Sequence, residues 1–259
     1  MLLLNNDFIG YHPDEHSVLF SGGDTEESYQ KNLKKQPSDW YYRDRQIVYN
    51  RNSNGHRCRE IQDIDLDNYI LFSGCSHSEG IGLELENTYP YLISKSLSCD
   101  YYNLSLGGTG YDALLYNLIT WFSKVKRKPK VVIIQWPDYT RFISKCPPEY
   151  NKNPDTLMGN GRWSTQIGVD KFLAIGHDIG FFETRRTMAY RLIKNLIDRP
   201  IIEVSYRDSI FNADTVELLP LHKDYARDFL HYGIFSNIKH TSIITNIIID
   251  KYKHELKNN

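Results

Sequence analysis

Four short, largely apolar runs recur along the chain: Tyr69-Ile70-Leu71-Phe72, Tyr101 to Leu106, Val131 to Trp136 and Ile201 to Val204. The first, apolar at every position, suits a strand buried on both faces. The segments between them have helical spacing. Thr88 to Leu97 reads as one helix, and Leu114, Leu118, Trp121 or Phe122, and Val125 mark the buried stripe of another. A long helical stretch from about Phe181 to Ile197 precedes the strand at Ile201. A terminal helix carries Ile244, Ile247, Ile248 and Tyr252 on one face, with Ser236 or Asn237 as its expected cap. Strands alternating with helices predict an α/β fold with right-handed crossovers and a parallel sheet covered on both sides. Sites in such sheets lie beyond the carboxyl ends of the strands.

The alternation begins near Asn68, so residues 1–66 read as an N-terminal extension and residues 67–259 as the body. Within the extension, Gln46 to Tyr49 and His56 to Ile61 flank Asn52-Ser53-Asn54-Gly55, a turn sequence that predicts a small β-hairpin. Residues 1–40 are expected to be irregular and to pack on the body or on a partner. Residues 138–165 read as a long excursion, with Pro147-Pro148, Pro154 and Gly159-Asn160-Gly161, and loops of that length usually border a site.

Charge narrows the partners. Lys plus Arg (31) and Asp plus Glu (32) nearly cancel, so no net field recruits nucleic acid or an anionic membrane. The apolar runs are far shorter than the roughly 20 residues of a spanning helix. Met1-Leu2-Leu3-Leu4 runs straight into Asn5, Asn6 and Asp7 with no basic start, so residence in the cytoplasm is the expectation. Cys58, Cys75, Cys99 and Cys146 are too sparse for a disulfide scaffold, and with His77 they match no zinc spacing. Gly74 to Gly82 lacks the Gly-Lys-Ser/Thr of a phosphate loop. Neither a metal nor a cofactor is expected.

Three polar clusters remain. Gly74-Cys75-Ser76-His77-Ser78-Glu79-Gly80 follows the first strand, where a turn serine can project its hydroxyl and its N–H toward one point. Asn103 to Gly110 ends the second strand in glycines, whose backbone a substrate can approach closely. Asp228-Phe229-Leu230-His231 precedes the terminal helix, and an aspartate there can orient the imidazole while the other ring nitrogen takes a proton from serine. Taken singly these read as a helix-capping turn, a flexible loop and a structural hydrogen bond. Their order along the chain sets them apart.

Gly74-Cys75-Ser76-His77-Ser78 resembles the first block of the SGNH/GDSL hydrolases. Asn103 to Gly108 resembles their second block, and Asp228-x-x-His231 with Gly233 their last. Tyr49 to Arg57 is similar to a hairpin that precedes the first block in some bacterial members. The resemblance covers residues from about 46 to 255. It implies a flavodoxin-like three-layer α/β/α fold, Ser76 as nucleophile, His231 as base and Asp228 as its orienting acid. It also implies an oxyanion hole from the N–H groups of Ser76 and Gly107 or Gly108. Gln135, Asp138 and Arg141 are further expected at the substrate site, Arg141 reading either as a rim contact to an anionic substrate or, more plainly, as a solvated loop arginine.

The chain departs from the family twice. Cys75 stands where an aspartate is usual, outside the triad. Pro137 stands where the third block places its oxyanion-binding asparagine, and proline offers no donor. Losing one such donor costs about a hundred- to a thousandfold in turnover, unless Gln135, Trp136 or Tyr139 substitutes. The expectation is therefore a serine esterase removing O-acyl groups from a carbohydrate or similar small ester. The alternatives are a binding or structural subunit on the same fold, and acyl transfer through the same triad.

Overall fold

The structure is a computed structural model that describes residues 1–5, 7–147, 149, 153, 155–164, 168–206, 216–218 and 224–257. Pro148 and Pro154 of the expected excursion lie outside the described residues. In the N-terminal part the elements are strands β1 (Leu2–Asn5), β2 (Phe8–Tyr11) and β3 (Ser17–Val18), helix α1 (Glu26–Lys35) and strand β4 (Tyr49–Asn50). The body follows with β5 (Tyr69–Ser73), α2 (Ser76–Glu79), α3 (Tyr89–Ser96), β6 (Asp100–Asn103), α4 (Tyr111–Lys124) and β7 (Val131–Gln135). Next come β8 (Phe142–Lys145), β9 (Leu157–Asn160), α5 (Val169–Asp178), α6 (Phe181–Leu196), β10 (Ile201–Ser205), β11 (Val216–Leu218) and α7 (Ile234–Lys257).

The four apolar runs supply β10, β7, β5 and β6 of one parallel sheet, to which β11 adds a fifth strand, in the order β11-β10-β7-β5-β6. β5 and β7 are buried at every position, as their unbroken apolar sequences require. Helix α3 packs with α7, and α4 with α6, the two pairs covering the two faces in three layers. Ile244 and Ile248 of α7 are fully buried, and Trp121 of α4 sits under β5 against Tyr69. Burying each such side chain contributes about 1.5–3 kcal/mol.

The flanks differ from expectation. Residues 1–40 are not irregular. β1 and β2 form a hairpin that joins β9 and β8 in a second, antiparallel sheet, so the excursion supplies two strands to it. Asn117 of α4 satisfies β2 by bonding both the N–H and the carbonyl of Ile9. Helix α1 escapes a periodicity search because Asn32 is its one buried residue. Its signal is the Thr25 cap, with acids in the first turn and lysines in the last. The turn at Asn52–Gly55 closes through Asn52 N–H to the His56 carbonyl at 2.8 Å, but its arms do not pair with each other. Tyr49–Asn50 instead pairs with Ser17–Val18. Helix α7 starts before Ser236, at Ile234, and the N–H groups of its second and third residues, Phe235 and Ser236, donate to the Asp224 carboxylate. The cap is thus Asp224, ten residues upstream of the start of the helix, in place of Ser236 or Asn237.

Candidate active site

A cavity of about 900 Å³ opens at the carboxyl ends of β5, β7 and β10. Ser76, Gly107, Gly108, Gln135, Asp138, Arg141 and His231 all line it, so segments distant in sequence converge on one space. Asp228 sits directly behind His231.

Ser76 is the first residue of the four-residue helix α2, immediately after the turn that ends β5. A first-turn N–H has no partner within its own helix, so the Ser76 amide is not used by α2. The turn is held from β7. The Gln135 side-chain oxygen accepts from the Cys75 N–H and from the Cys75 thiol, both at 3.1 Å. That pairing orients the Gln135 amide, and its nitrogen donates to the Trp136 carbonyl at 2.7 Å. The indole N–H of Trp136 goes to Glu203 at 3.2 Å. Gln135 therefore holds the turn that carries Ser76, and Pro137 stands at the cavity wall beside it.

The second block lies against the first. The Asn103 side chain links the Ser78 carbonyl to the Ser105 N–H, at 2.8 and 3.1 Å. Gly107 abuts α2 so closely that a Cβ there would fall 3.1 Å from Glu79 Oε2 and 3.7 Å from Ser76 Cβ. Its N–H donates to Glu79 at 2.6 Å. Gly108, the other glycine of the pair, also lines the cavity. Glu79 is buried and also accepts from Tyr11 at 2.9 Å and Arg51 at 3.0 Å.

Asp228 and His231 occupy a reverse turn closed by an Ala226 N–H bond to the His231 carbonyl at 2.9 Å and by a bridge between Tyr225 and Tyr232. Asp228 Oδ1 accepts from the N–H groups of Leu230 and His231, at 3.0 and 3.1 Å. Its Oδ2 meets His231 Nδ1 at 2.5 Å, with the carboxylate wholly buried and the ring 12% exposed. Burial alone would raise the Asp228 carboxyl. The hydrogen bond and charge of His231, with the two N–H donors, outweigh it and hold Asp228 below its ordinary value. An imidazole fixed through Nδ1 presents Nε2 as a base, and the carboxylate stabilises its charged form.

Several participants carried no readable sequence signal. The His77 ring lies 4.9 Å from that of His231 and stacks on Tyr232 at 4.7 Å, next to Tyr206 at 4.5 Å. Arg227, the neighbour of Asp228, makes a buried bidentate ion pair with Asp24, at 3.0 and 2.6 Å. Its partner is 203 residues away, beyond the reach of any local motif. Asp138 shapes its own loop, accepting from the Thr140 N–H at 3.0 Å and hydroxyl at 2.6 Å. Among the described residues no cluster of His, Cys, Asp or Glu could hold a metal ion, and no helix is long and apolar enough to cross a membrane.

Fold and site together define a three-layer α/β/α protein with a turn serine and a buried Asp–His pair facing one cavity. In structure the chain is similar to an acetyl xylan esterase from the rumen bacterium Butyrivibrio proteoclasticus, at 12% identity and a TM-score of 0.45, over 72% of this chain and 64% of that one. It is similar to a family two carbohydrate esterase from Clostridium thermocellum in complex with cellohexaose, at 15% identity and a TM-score of 0.44, over 72% and 65%. It is also similar to a G-D-S-L family protein, described as lipolytic, from Desulfitobacterium hafniense, at 13% identity and a TM-score of 0.34, over 70% and 99%. The chain spans slightly less than two thirds of the length of these two esterases. No family model matches the chain, and no curated protein matches it.

Proposed function

We propose that the protein is a serine hydrolase acting on O-acyl esters of a carbohydrate or similar small alcohol. The observation that carries this reading is the buried Asp228–His231 pair on the same cavity as Ser76. In the proposed reaction the Ser76 hydroxyl attacks the acyl carbonyl and its proton passes to His231. The oxyanion is met by backbone N–H groups of Ser76 and Gly108. Collapse releases the alcohol, which takes the proton from His231 and leaves an acyl-serine. Water, deprotonated by His231, then cleaves the acyl-serine and restores the enzyme. The same steps with a second alcohol in place of water would be acyl transfer.

Two observations favour the binding-subunit reading: Pro137 stands where the family carries its asparagine, and the Gly107 N–H is held by Glu79. A fluorophosphonate probe separates the two readings. The hydrolase reading expects wild type to be labelled, and Ser76→Ala and His231→Ala to lose the label while folding normally. A folded wild type that takes no label supports the binding subunit and removes the enzyme.

A further inference from the structure

Arg141 lies in the loop between β7 and β8 and is half-buried, not fully solvated. Its carbonyl accepts from the Arg185 guanidinium, and its N–H donates to the Asp138 carbonyl at 3.1 Å, which fixes the backbone. Its guanidinium lies 4.7 Å over the Trp163 ring. The indole can fold down onto that position because residue 161 is glycine: a Cβ there would collide with the Trp163 ring. Both Arg141 and Trp163 line the cavity shared by Ser76 and His231.

A partly buried arginine usually faces a carboxylate. Among the described residues no carboxylate comes within ion-pair distance of Arg141, and its Nε–H is buried with no acceptor. The lining carboxylate nearest in sequence, Asp138, already accepts two bonds from Thr140. Guanidinium N–H groups form a planar fork suited to a carboxylate or phosphate, and stacking on an aromatic face restricts that plane without using the donors. A guanidinium that lines the cavity on an aromatic face, with no counter-ion among the described residues, can take an anionic oxygen through its terminal N–H groups.

We infer that the site selects esters that carry an anionic oxyacid group, a carboxylate or a phosphate, seated on Arg141 against Trp163. This inference rests on the hydrolase reading for the reaction but not for the binding. A neutral ester could use the Ser76–His231 side of the cavity alone; an anionic one gains a charge-assisted contact on the far wall. That contact would help choose the substrate without taking part in bond cleavage.

The test is calorimetric binding to the Ser76→Ala protein, which keeps the ligand intact. The probes are acetylated glucose, acetylated glucuronic acid and acetylated glucose 6-phosphate. Affinity for one or both anionic probes is expected to exceed that for the neutral one by roughly 10- to 100-fold. Which anionic probe binds tells carboxylate from phosphate. Adding Arg141→Gln should bring the ratio near one, and Arg141→Lys, which keeps the charge but not the fork, should restore part of it. Equal affinity for all three probes, or a preference that survives Arg141→Gln, overturns the proposal. A wild type that takes no fluorophosphonate label yet keeps the Arg141-dependent preference would remove the hydrolase reading and leave this one standing.

Discussion

A histidine buried without a charge partner makes a protein acid-sensitive, and His56 is such a residue. Its ring lies 3.1 Å from both the Tyr102 hydroxyl and the Ile9 carbonyl, and it is fully buried. Desolvation lowers its pKa from 6.5 to about 3, only partly opposed by the Ile9 hydrogen bond. The folded protein therefore refuses a proton that the unfolded chain takes up near 6.5. Stability is full above that value, falls by about 1.4 kcal/mol per pH unit below it, and stops falling near 3. Urea midpoints measured from about pH 7 down to about pH 5 should fall by this amount. Replacement of His56 by Gln should flatten the slope, and an unchanged slope would place the acid sensitivity elsewhere. At this scale Ser76, His231 and Asp228, the residues of the proposed triad, could be picked out because they sit in short motifs. The role of Gln135 was not, since its partner, Cys75, is 60 residues away.

Elements meet at the site because the N-terminal segment grips both sides of it. Arg51, just after β4, bonds Glu79 at the end of α2, and Arg57 donates to the carbonyls of Gly80 and Leu83 at 2.6 and 2.7 Å. Asp24, just before α1, holds Arg227 in the turn that carries Asp228 and His231. Tyr49 joins the two grips, donating to Asp24 at 2.5 Å and accepting from the Gly82 N–H at 2.8 Å. Arg227→Met would leave Asp24 buried without its charge partner, at a cost of about 3–5 kcal/mol in urea unfolding. The double change with Asp24→Asn should recover much of that loss. A penalty below about 1 kcal/mol for the single change would show that the pair does not anchor the turn. Body elements with unbroken apolar runs or helical stripes were readable from the chain. Helices α1 and α5 and the β8–β9 pair were not, because their register depends on partners from other segments.

At the scale of the whole molecule, the division at residue 66 is a change in sequence pattern and not a gap in packing. Phe8 of β2 belongs to the main core, 5.7 Å from the His56 ring and 6.3 Å from Trp121 of α4. A core that includes both parts should unfold as one cooperative unit. Phe8→Ala should cost about 3–5 kcal/mol and shift the fluorescence and circular-dichroism transitions together. Two separated transitions would show instead that the N-terminal part unfolds on its own.

The amino-acid sequence by itself determined the α/β class, the buried parallel strands and the three polar clusters, including Ser76, Asp228 and His231. Each is a local property: strand burial shows as consecutive apolar residues, and a reactive turn shows as glycine and polar residues after a strand. Tertiary structure alone decided that the first 66 residues brace the site, that the Gly107 N–H belongs to Glu79, and that Arg141 lines the cavity with no counter-ion among the described residues. Those outcomes depend on which buried charges find one another across more than twenty residues of chain. Hydrophobic periodicity does not encode that choice; it is settled by packing, which leaves an unpaired group either costly or open to a ligand.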